Sequence, residues 1–351
     1  LRLSTLSHFK ETLKVIFKDT FKVTTTLFKI MIPTIIIVKI LDELGLIKFI
    51  GTKISPFMSI IGLPPEAGVI WMTTMCTNIY TGLAVFVQMT QDATWTQAQV
   101  TILGTIMLLA HNLPIEARVA QKSGCRILTN IFIRLSGALL LALILKTIYN
   151  LTSYLQNPAV VAIPSNKEKG LFSWPTEILD IGIKWIIRNE KYSLWIAEQI
   201  IFCLQVFIAI WVLLALLKFL RAVGIERLIT KLLQPILKVL GIKPEATSIT
   251  IVGITLGLAY GGGLLIQEAE SGNVSKEDVF ASVSLLSLCH SQIEDTLLVM
   301  LLGAHLSGIL WGRLAFALII VYLLVKLQRW VSPANSELFL VRDVFKKEAK
   351  V

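Results

Sequence analysis

The chain has 351 residues, of which 55% are hydrophobic and 16% charged, with a mean hydropathy of +0.74 and a formal net charge of +10. Such a composition excludes a water-soluble enzyme, and several apolar stretches exceed the roughly 20 residues a helix needs to cross about 30 Å of hydrocarbon. The basic residues fall between apolar runs rather than on one soluble face, so no nucleic-acid partner is expected.

Residues 1–22 are lysine-rich, with Leu6, Phe9, Leu13 and Phe17 at helical spacing. The pattern predicts a cytoplasmic amphipathic segment on the membrane surface and not a cleaved signal. An apolar helix over 23–44 follows, then an amphipathic segment over 46–62 and a second long helix over 66–89. Residues 97–125 read as a segment split at His111-Asn112-Leu113-Pro114, where the proline interrupts the helix, and 127–149 as a final crossing helix. Residues 151–192 form an external connecting loop containing a short surface helix over 178–187. The order then recurs as 194–220, 225–241, 245–267, 276–303 and 306–328, before a cytoplasmic tail, 330–351. The cysteines Cys76, Cys125, Cys203 and Cys289 lie in or beside apolar segments without disulfide or zinc-ribbon spacing.

That recurrence is a sequence repeat. Laying Gly45 on Gly224 aligns Gly45 to Asn150 with Gly224 to Arg329 without a gap. Gly62/Gly241, Pro65/Pro244, Glu66/Glu245, Gly82/Gly261, Gln88/Gln267, His111/His290, Gly124/Gly303 and Arg134/Arg313 fall in register, with Glu116 opposite Asp295. Rare residue types do not align over such a stretch by accident. The chain therefore divides into repeat 1, 23–150, and repeat 2, 193–329.

Charge selects a topology, because Lys and Arg in short loops mark the cytoplasmic side. With 97–125 and 276–303 doubling back as re-entrant hairpins, each unit crosses three times. The N-terminus, Lys122 and Arg126, the connection carrying Arg221, Arg227, Lys231, Lys238 and Lys243, and the C-terminus then all lie inside, while the acidic loop Glu268, Glu270, Glu277, Asp278 lies outside. Three crossings invert the second unit. The expected fold is an all-α polytopic membrane protein of two inverted-topology repeats, each with three transmembrane helices, one re-entrant hairpin and an interfacial amphipathic helix. It would reside in the plasma (cytoplasmic or inner) membrane with both termini cytoplasmic.

Non-helical backbone at membrane depth is tolerated only inside protein or along a watery cavity, so the breaks are the candidate site. They offer His111, Asn112 and Glu116 in one unit and His290, Ser291, Gln292, Glu294 and Asp295 in the other as substrate or ion ligands. The second helices break at matching places that contain Asn78 and Tyr80, and Tyr260, Gly261 and Gly262. Arg134 and Arg313 are candidate charge partners for Glu116 and Asp295, since isolated charge at this depth is costly. The structural alternative for the acids is that internal salt bridge, for the histidines a satisfied hydrogen bond, and for the glycines close helix packing. Glu66 and Glu245 follow Pro65 and Pro244 in the first turn of a helix, where a carboxylate is favoured by the dipole.

The repeat, the polar stretches His111-Asn112-Leu113-Pro114-Ile115-Glu116-Ala117 and His290-Ser291-Gln292-Ile293-Glu294-Asp295, and the Gly/Tyr breaks resemble the Gate, or nucleoside-recognition, domain. That domain occurs in spore-maturation membrane proteins, in ferrous-iron transporters and, remotely, in concentrative nucleoside transporters. The resemblance implies a carrier fold. The phosphate-binding loop of the iron transporters' GTPase is absent from this sequence.

The function expected is secondary transport of a small polar solute, nucleoside-like or an organic anion, by alternating access around the two midplane tips. Sodium or a proton would couple it, with no other cofactor. The alternatives are a divalent-metal carrier drawing on His111, His290, Glu116, Glu294, Asp295, Cys289 and Cys76, and a non-transporting subunit or receptor of a membrane assembly. No enzyme is expected, because Ser291, His290 and Asp295 sit along one tip without the convergence a nucleophile and base require. The expected partners are the lipid bilayer, the solute and further copies of the chain in a homo-oligomer. No resident metal is assigned.

Overall fold

The computed structural model describes residues 43–90, 94–161, 223–257, 265–269, 271, 274–330 and 340, together with scattered positions between 17 and 40 and between 196 and 219, all of them helical. The expected surface helix over 178–187, the break at Tyr260, Gly261 and Gly262, and almost all of both terminal segments lie outside the described residues. Among the described residues the structure is helical, with a single antiparallel bridge between Thr96 and Pro158.

The helices of the first unit are α1 (Leu46–Ile60), α2 (Glu66–Cys76), α3 (Ile79–Met89), α4 (Gln97–Leu109), α5 (Leu113–Lys122) and α6 (Ile127–Thr152). The second unit contributes α7 (Ile225–Val239), α8 (Pro244–Leu256), α9 (Lys276–Leu288), α10 (Glu294–Met300) and α11 (Arg313–Trp330), the last preceded by a π-helical turn, Ser307–Gly312. The bounds of α7 and α9 equal those of α1 and α4 displaced by 179 positions, the separation of His111 from His290. Left-handed residues recur at the same displacement, at Asn112 (φ 47°) and Ser291 (φ 46°). Local chemistry sets the starts: Thr96 and Gln99 form a capping box on α4, and Ser275 caps α9 by accepting from the Asp278 amide.

Apolar stretches Gln97–Lys122, Ile127–Thr152 and Ser307–Trp330 are long enough to cross a membrane. The chain is a helical membrane protein, and α6 shows why. Its inner stripe carries Asn130, Arg134, Gly137, Leu141 and Tyr149, whereas Leu128 (76% exposed), Phe132 (70%), Leu140, Ile144 and Ile148 face outward. In α11 Arg313 and Gln328 point inward while Ile319, Leu323 and Leu327 point out. Polar inside and apolar outside is the arrangement a hydrocarbon solvent imposes.

Hydrogen bonds fix the direction of each helix. Beyond the C-terminal end of α6, the carbonyls of Asn157 and Leu155 accept from the amides of Gln97 and Ala98 (2.8 Å each), which start α4. The break after α4 lies beside Arg134, and α5 ends at Lys122, next to the N-terminal end of α6. The stretch 97–122 therefore runs antiparallel to α6 along its whole length and crosses wherever α6 crosses. The re-entrant hairpin expected at 97–125 is corrected: its two arms continue from one end of the molecule to the other. By the 179-residue correspondence, α9 and α10 do the same. Asp278 at the head of α9 accepts from the Lys243 amide at 3.1 Å, and Gly303 beyond α10 lies by Gln97, whose side chain donates to its carbonyl at 3.3 Å.

The segment that doubles back is 66–89, expected as one long helix. Helices α2 and α3 pack against each other about Thr77-Asn78. A Cβ at Gly82 would collide with the Thr74 hydroxyl and lie 2.9 Å from Met107 Cε, and Phe86 near the end of α3 returns to Trp95, ring to ring at 5.6 Å. Entry and exit are at the same end of the molecule. Exchanging the two roles leaves 97–122 and α6 as the through-running stretches of the first unit among the described residues. It also moves the acidic loop: Lys243 and Asp278, expected on opposite sides, form an ion pair at 3.6 Å.

With the native cysteines replaced by serine, single cysteines at Thr94 and Lys122 are expected to react with an impermeant maleimide from opposite sides of the bilayer, and cysteines at Pro65 and Thr94 from the same side. Labelling of Thr94→Cys and Lys122→Cys from one side would restore the hairpin at 97–125. Gly82→Val, which wedges α2 from α3, is expected to lower stability by about 1–3 kcal/mol in a detergent unfolding titration.

Candidate functional site

The site is built where the two broken helices pass each other. At 110–112 helix α4 stops, Asn112 turns left-handed, and Pro114 in the first turn of α5 restarts the helix without needing an amide partner. In the second unit the same left-handed step falls on Ser291, and α10 starts at Glu294. A polar break in hydrocarbon survives only if its freed backbone groups are paired. Neighbouring elements do this. The amide of Asn112 donates to Thr74 O at the end of α2 (3.0 Å), and that of Gln292 to Ile254 O at the end of α8 (2.9 Å). The guanidinium of Arg134 donates to Leu109 O and His111 O at 2.8 Å each, and Arg313 donates to His290 O at 3.3 Å. The two arginines thus hold the carbonyls that the breaks release.

These constraints bring His111 and His290 face to face, their Nε2 atoms 3.1 Å apart and ring centroids at 4.9 Å. Each Nδ1 points at a carbonyl one turn back, Met107 O at 3.1 Å and Leu286 O at 2.7 Å. A carbonyl can only accept, so each Nδ1 carries a proton and each Nε2 is the ring nitrogen turned toward the other unit and Glu116. Glu116 Oε1 stands 3.1 Å from one Nε2 and 3.3 Å from the other, while its Oε2 takes a short charge-assisted bond from Arg134. Arg134 is fully buried. The pairing expected of Arg134 with Glu116 is therefore made.

Its counterpart is not. Arg313 and Asp295 form no ion pair; Arg313 Nε and Asp295 Oδ2 are buried without a hydrogen-bond partner among the described residues. Asp295 Oδ2 instead stands 3.9 Å from His111 Nε2. Gln292 donates to Cys289 Sγ at 2.7 Å, leaving its Oε1 without a hydrogen bond, as is Thr296 Oγ1 one helical step beyond Asp295. A set of buried acceptors thus surrounds the second break.

The remaining candidates divide. Asn78 is the N-cap of α3, its Oδ1 accepting from the Thr81 amide at 2.9 Å, which is a structural task. Tyr80 reaches across the units and donates to Glu294 Oε1 at 3.0 Å. Asn112 and Ser291 serve through their left-handed backbone; a Cβ at Gly257 (φ 97°) would come 2.5 Å from Ser291 Oγ, so only glycine admits the tip there. Both ring nitrogens of His290 are engaged away from Ser291, which leaves no nucleophile–base pair in the Ser291, His290, Asp295 set. Cys76 is exposed, and neither it nor buried Cys289 is among the converging ligand atoms. Sequence reasoning missed Asn130, whose side chain donates to Ser287 Oγ at 2.6 Å across the units. An amide one turn before Arg134 in an apolar helix was the available signal.

This geometry sits within a recognisable segment. Residues 24–123 match the Gate family model, described as nucleoside recognition. The resemblance read from the repeat and the breaks is thereby shown for the segment that carries Asn78, Tyr80, His111, Asn112 and Glu116. The Gate match ends one residue after α5, so it takes in the first broken helix but not Arg134. Over 300 residues the chain is 27% identical to a protein of Bacillus subtilis (strain 168) named "Uncharacterized membrane protein YvoD", covering 86% of this chain and 89% of that protein. No solved structure matches the chain.

Arg134→Met is expected to cost about 3–5 kcal/mol, because it strands the buried Glu116 carboxylate. Arg134→Met with Glu116→Gln is expected to recover most of that loss, whereas Arg313→Met costs much less, having no ion pair to break. Unfolding in detergent, read by the loss of tryptophan fluorescence, measures all three.

Proposed function

We propose that the chain is an ion-coupled secondary transporter built from two inverted-topology repeats, moving a small polar solute of the nucleoside or organic-anion kind. The observation that carries this reading is the meeting of His111 and His290, equivalent residues of the two units, at the breaks of two helices that run past each other in opposite directions. Discontinuous helices meeting at mid-depth, with unpaired acceptors around them, are the usual construction of a carrier's binding site. The Gate match and the likeness to a bacterial membrane protein support a transport-related role.

In this reading the α2–α3 hairpin is re-entrant, and the end of the molecule bearing Lys122, Arg126, Lys238, Lys243 and Arg329 faces the cytoplasm of a cell's plasma membrane. Sodium or a proton enters at the acceptors around Asp295, and solute is held by the breaks at Asn112, Ser291 and Gln292, with Tyr80 and Glu294 linking the hairpin to the second unit. Glu116 is neutralised by Arg134 and orients the histidines. Alternating access follows as the two units rock about the His111–His290 contact. A divalent-metal cargo is the second reading, favoured by the convergence of His111, Glu116 and His290.

Proteoliposomes containing the chain are expected to accumulate at least one of uridine, adenosine, succinate or glutamate under an imposed sodium or proton gradient. Asp295→Asn is expected to reduce that uptake at least tenfold and Glu66→Gln to leave it unchanged. Uptake of none of them, or equal loss in Glu66→Gln, would overturn the assignment.

A further inference from the structure

We infer that His111, Glu116 and His290 form a binding site for one divalent first-row transition-metal ion held across the junction of the two units. The argument begins with lone pairs. Both Nδ1 atoms are committed as donors to Met107 O and Leu286 O, so the two Nε2 atoms are the ring nitrogens left to take a ligand, and with Glu116 Oε1 they converge on one space, at 3.1, 3.1 and 3.3 Å from one another. One proton lies on one pair of atoms at a time; a metal ion serves all three.

The spacing fits an ion. Ligand atoms about 2.0–2.1 Å from a tetrahedral centre lie ~3.3 Å apart, and cis ligands of an octahedral centre ~3.0 Å apart. The observed triangle falls between these limits. Its composition, two imidazoles and one carboxylate on one face, leaves further positions open and suits borderline divalent ions such as Zn²⁺ and Co²⁺ rather than Mg²⁺ or Ca²⁺, which favour oxygen alone.

The surroundings are those of a metal site as well. Each imidazole gives its other N–H to a backbone carbonyl, the partner that fixes tautomer and ring plane in metal-bound histidines. The second carboxylate oxygen of Glu116 is clamped by Arg134, which turns Oε1 toward the imidazoles. All three ligands are buried. Asp295 Oδ2, without a hydrogen bond among the described residues, lies outside the triangle at 3.9 Å from His111 Nε2 and adds negative charge beside it.

The inference rests on ligand geometry and not on solute transport: metal binding without uptake of the solutes above upholds it, and uptake without metal binding overturns it alone. The test uses the purified full chain, stripped with a chelator and titrated with Co²⁺. Expected are one Co²⁺ per chain, a visible ligand-field band and its displacement by Zn²⁺. His290→Gln should weaken Co²⁺ binding by about 100-fold or more, since even loss of an outer partner costs a metal-ligating histidine ~10–100-fold. His305→Gln, whose ring bonds Ser307 instead, should leave it unchanged. Binding that is absent, or indifferent to both His290→Gln and His111→Gln, overturns the site. Should those variants fail to elute as folded protein, X-ray absorption of the Zn²⁺-loaded wild type decides: two imidazoles in the coordination shell uphold the site, and their absence overturns it.

Discussion

A charged or hydrogen-bonding group inside hydrocarbon must find its partner within the protein, and the architecture follows from meeting that demand at two helix breaks. Arg134 meets it for the first. One guanidinium satisfies two carbonyls released by the break and the Glu116 carboxylate that starts the next helix. An arginine left unpaired at the centre of a crossing helix costs on the order of 3 kcal/mol on insertion scales, so the break and the arginine stabilise only as a set. Once Glu116 is fixed it places Oε1 against the histidines, and the rings in turn dock one unit on the other. Packing joins the units nearby: a Cβ at Gly137 would lie 2.9 Å from Leu288 and 3.4 Å from Phe316, the residue equivalent to Gly137 itself.

Duplication has not produced two identical halves. Glutamate in one unit is aspartate in the other, shorter by one methylene, and Arg313 is left with a single long bond to His290 O. Buried Asp295, Gln292 and Thr296 then hold acceptors without hydrogen bonds among the described residues, each worth about 1–3 kcal/mol in lost solvation. The first unit concentrates fixed charge neutrality and the second concentrates unmet polarity. That division is sharper than the symmetric sequence motif suggested.

Much of the arrangement was legible in the residues. The repeat could be read because His, Pro, Gly and Arg coincide too often in two apolar stretches, and the breaks because Asn-Leu-Pro and Thr-Asn interrupt helices where no loop is otherwise required. Arg134 was singled out in α6, but the inward stripe it shares with Asn130 was not. What could not be read was which interrupted segment turns back. Helices α2 and α3 are eleven residues each, α4 and α5 thirteen and ten; the lengths are alike, and the answer lies in the distant contacts of Phe86 with Trp95 and of Gln97 with Asn157. Charge misled at one point, because acidic residues were given a weight in sidedness that only Lys and Arg carry. The pairing of Glu116 with both histidines, and not Asp295 with Arg313, was equally beyond reach, since the two motifs read alike and differ only in three dimensions.

The π-helical turn at Ser307–Gly312 has no counterpart in α6, which is α-helical through the equivalent positions. Its i→i+5 winding sets this stretch apart from the uninterrupted α-winding of the first unit. Arg313 is the first residue after the bulge. The last helices of the two units thus differ in winding immediately before the arginine that, in the second unit, lacks an acid partner among the described residues.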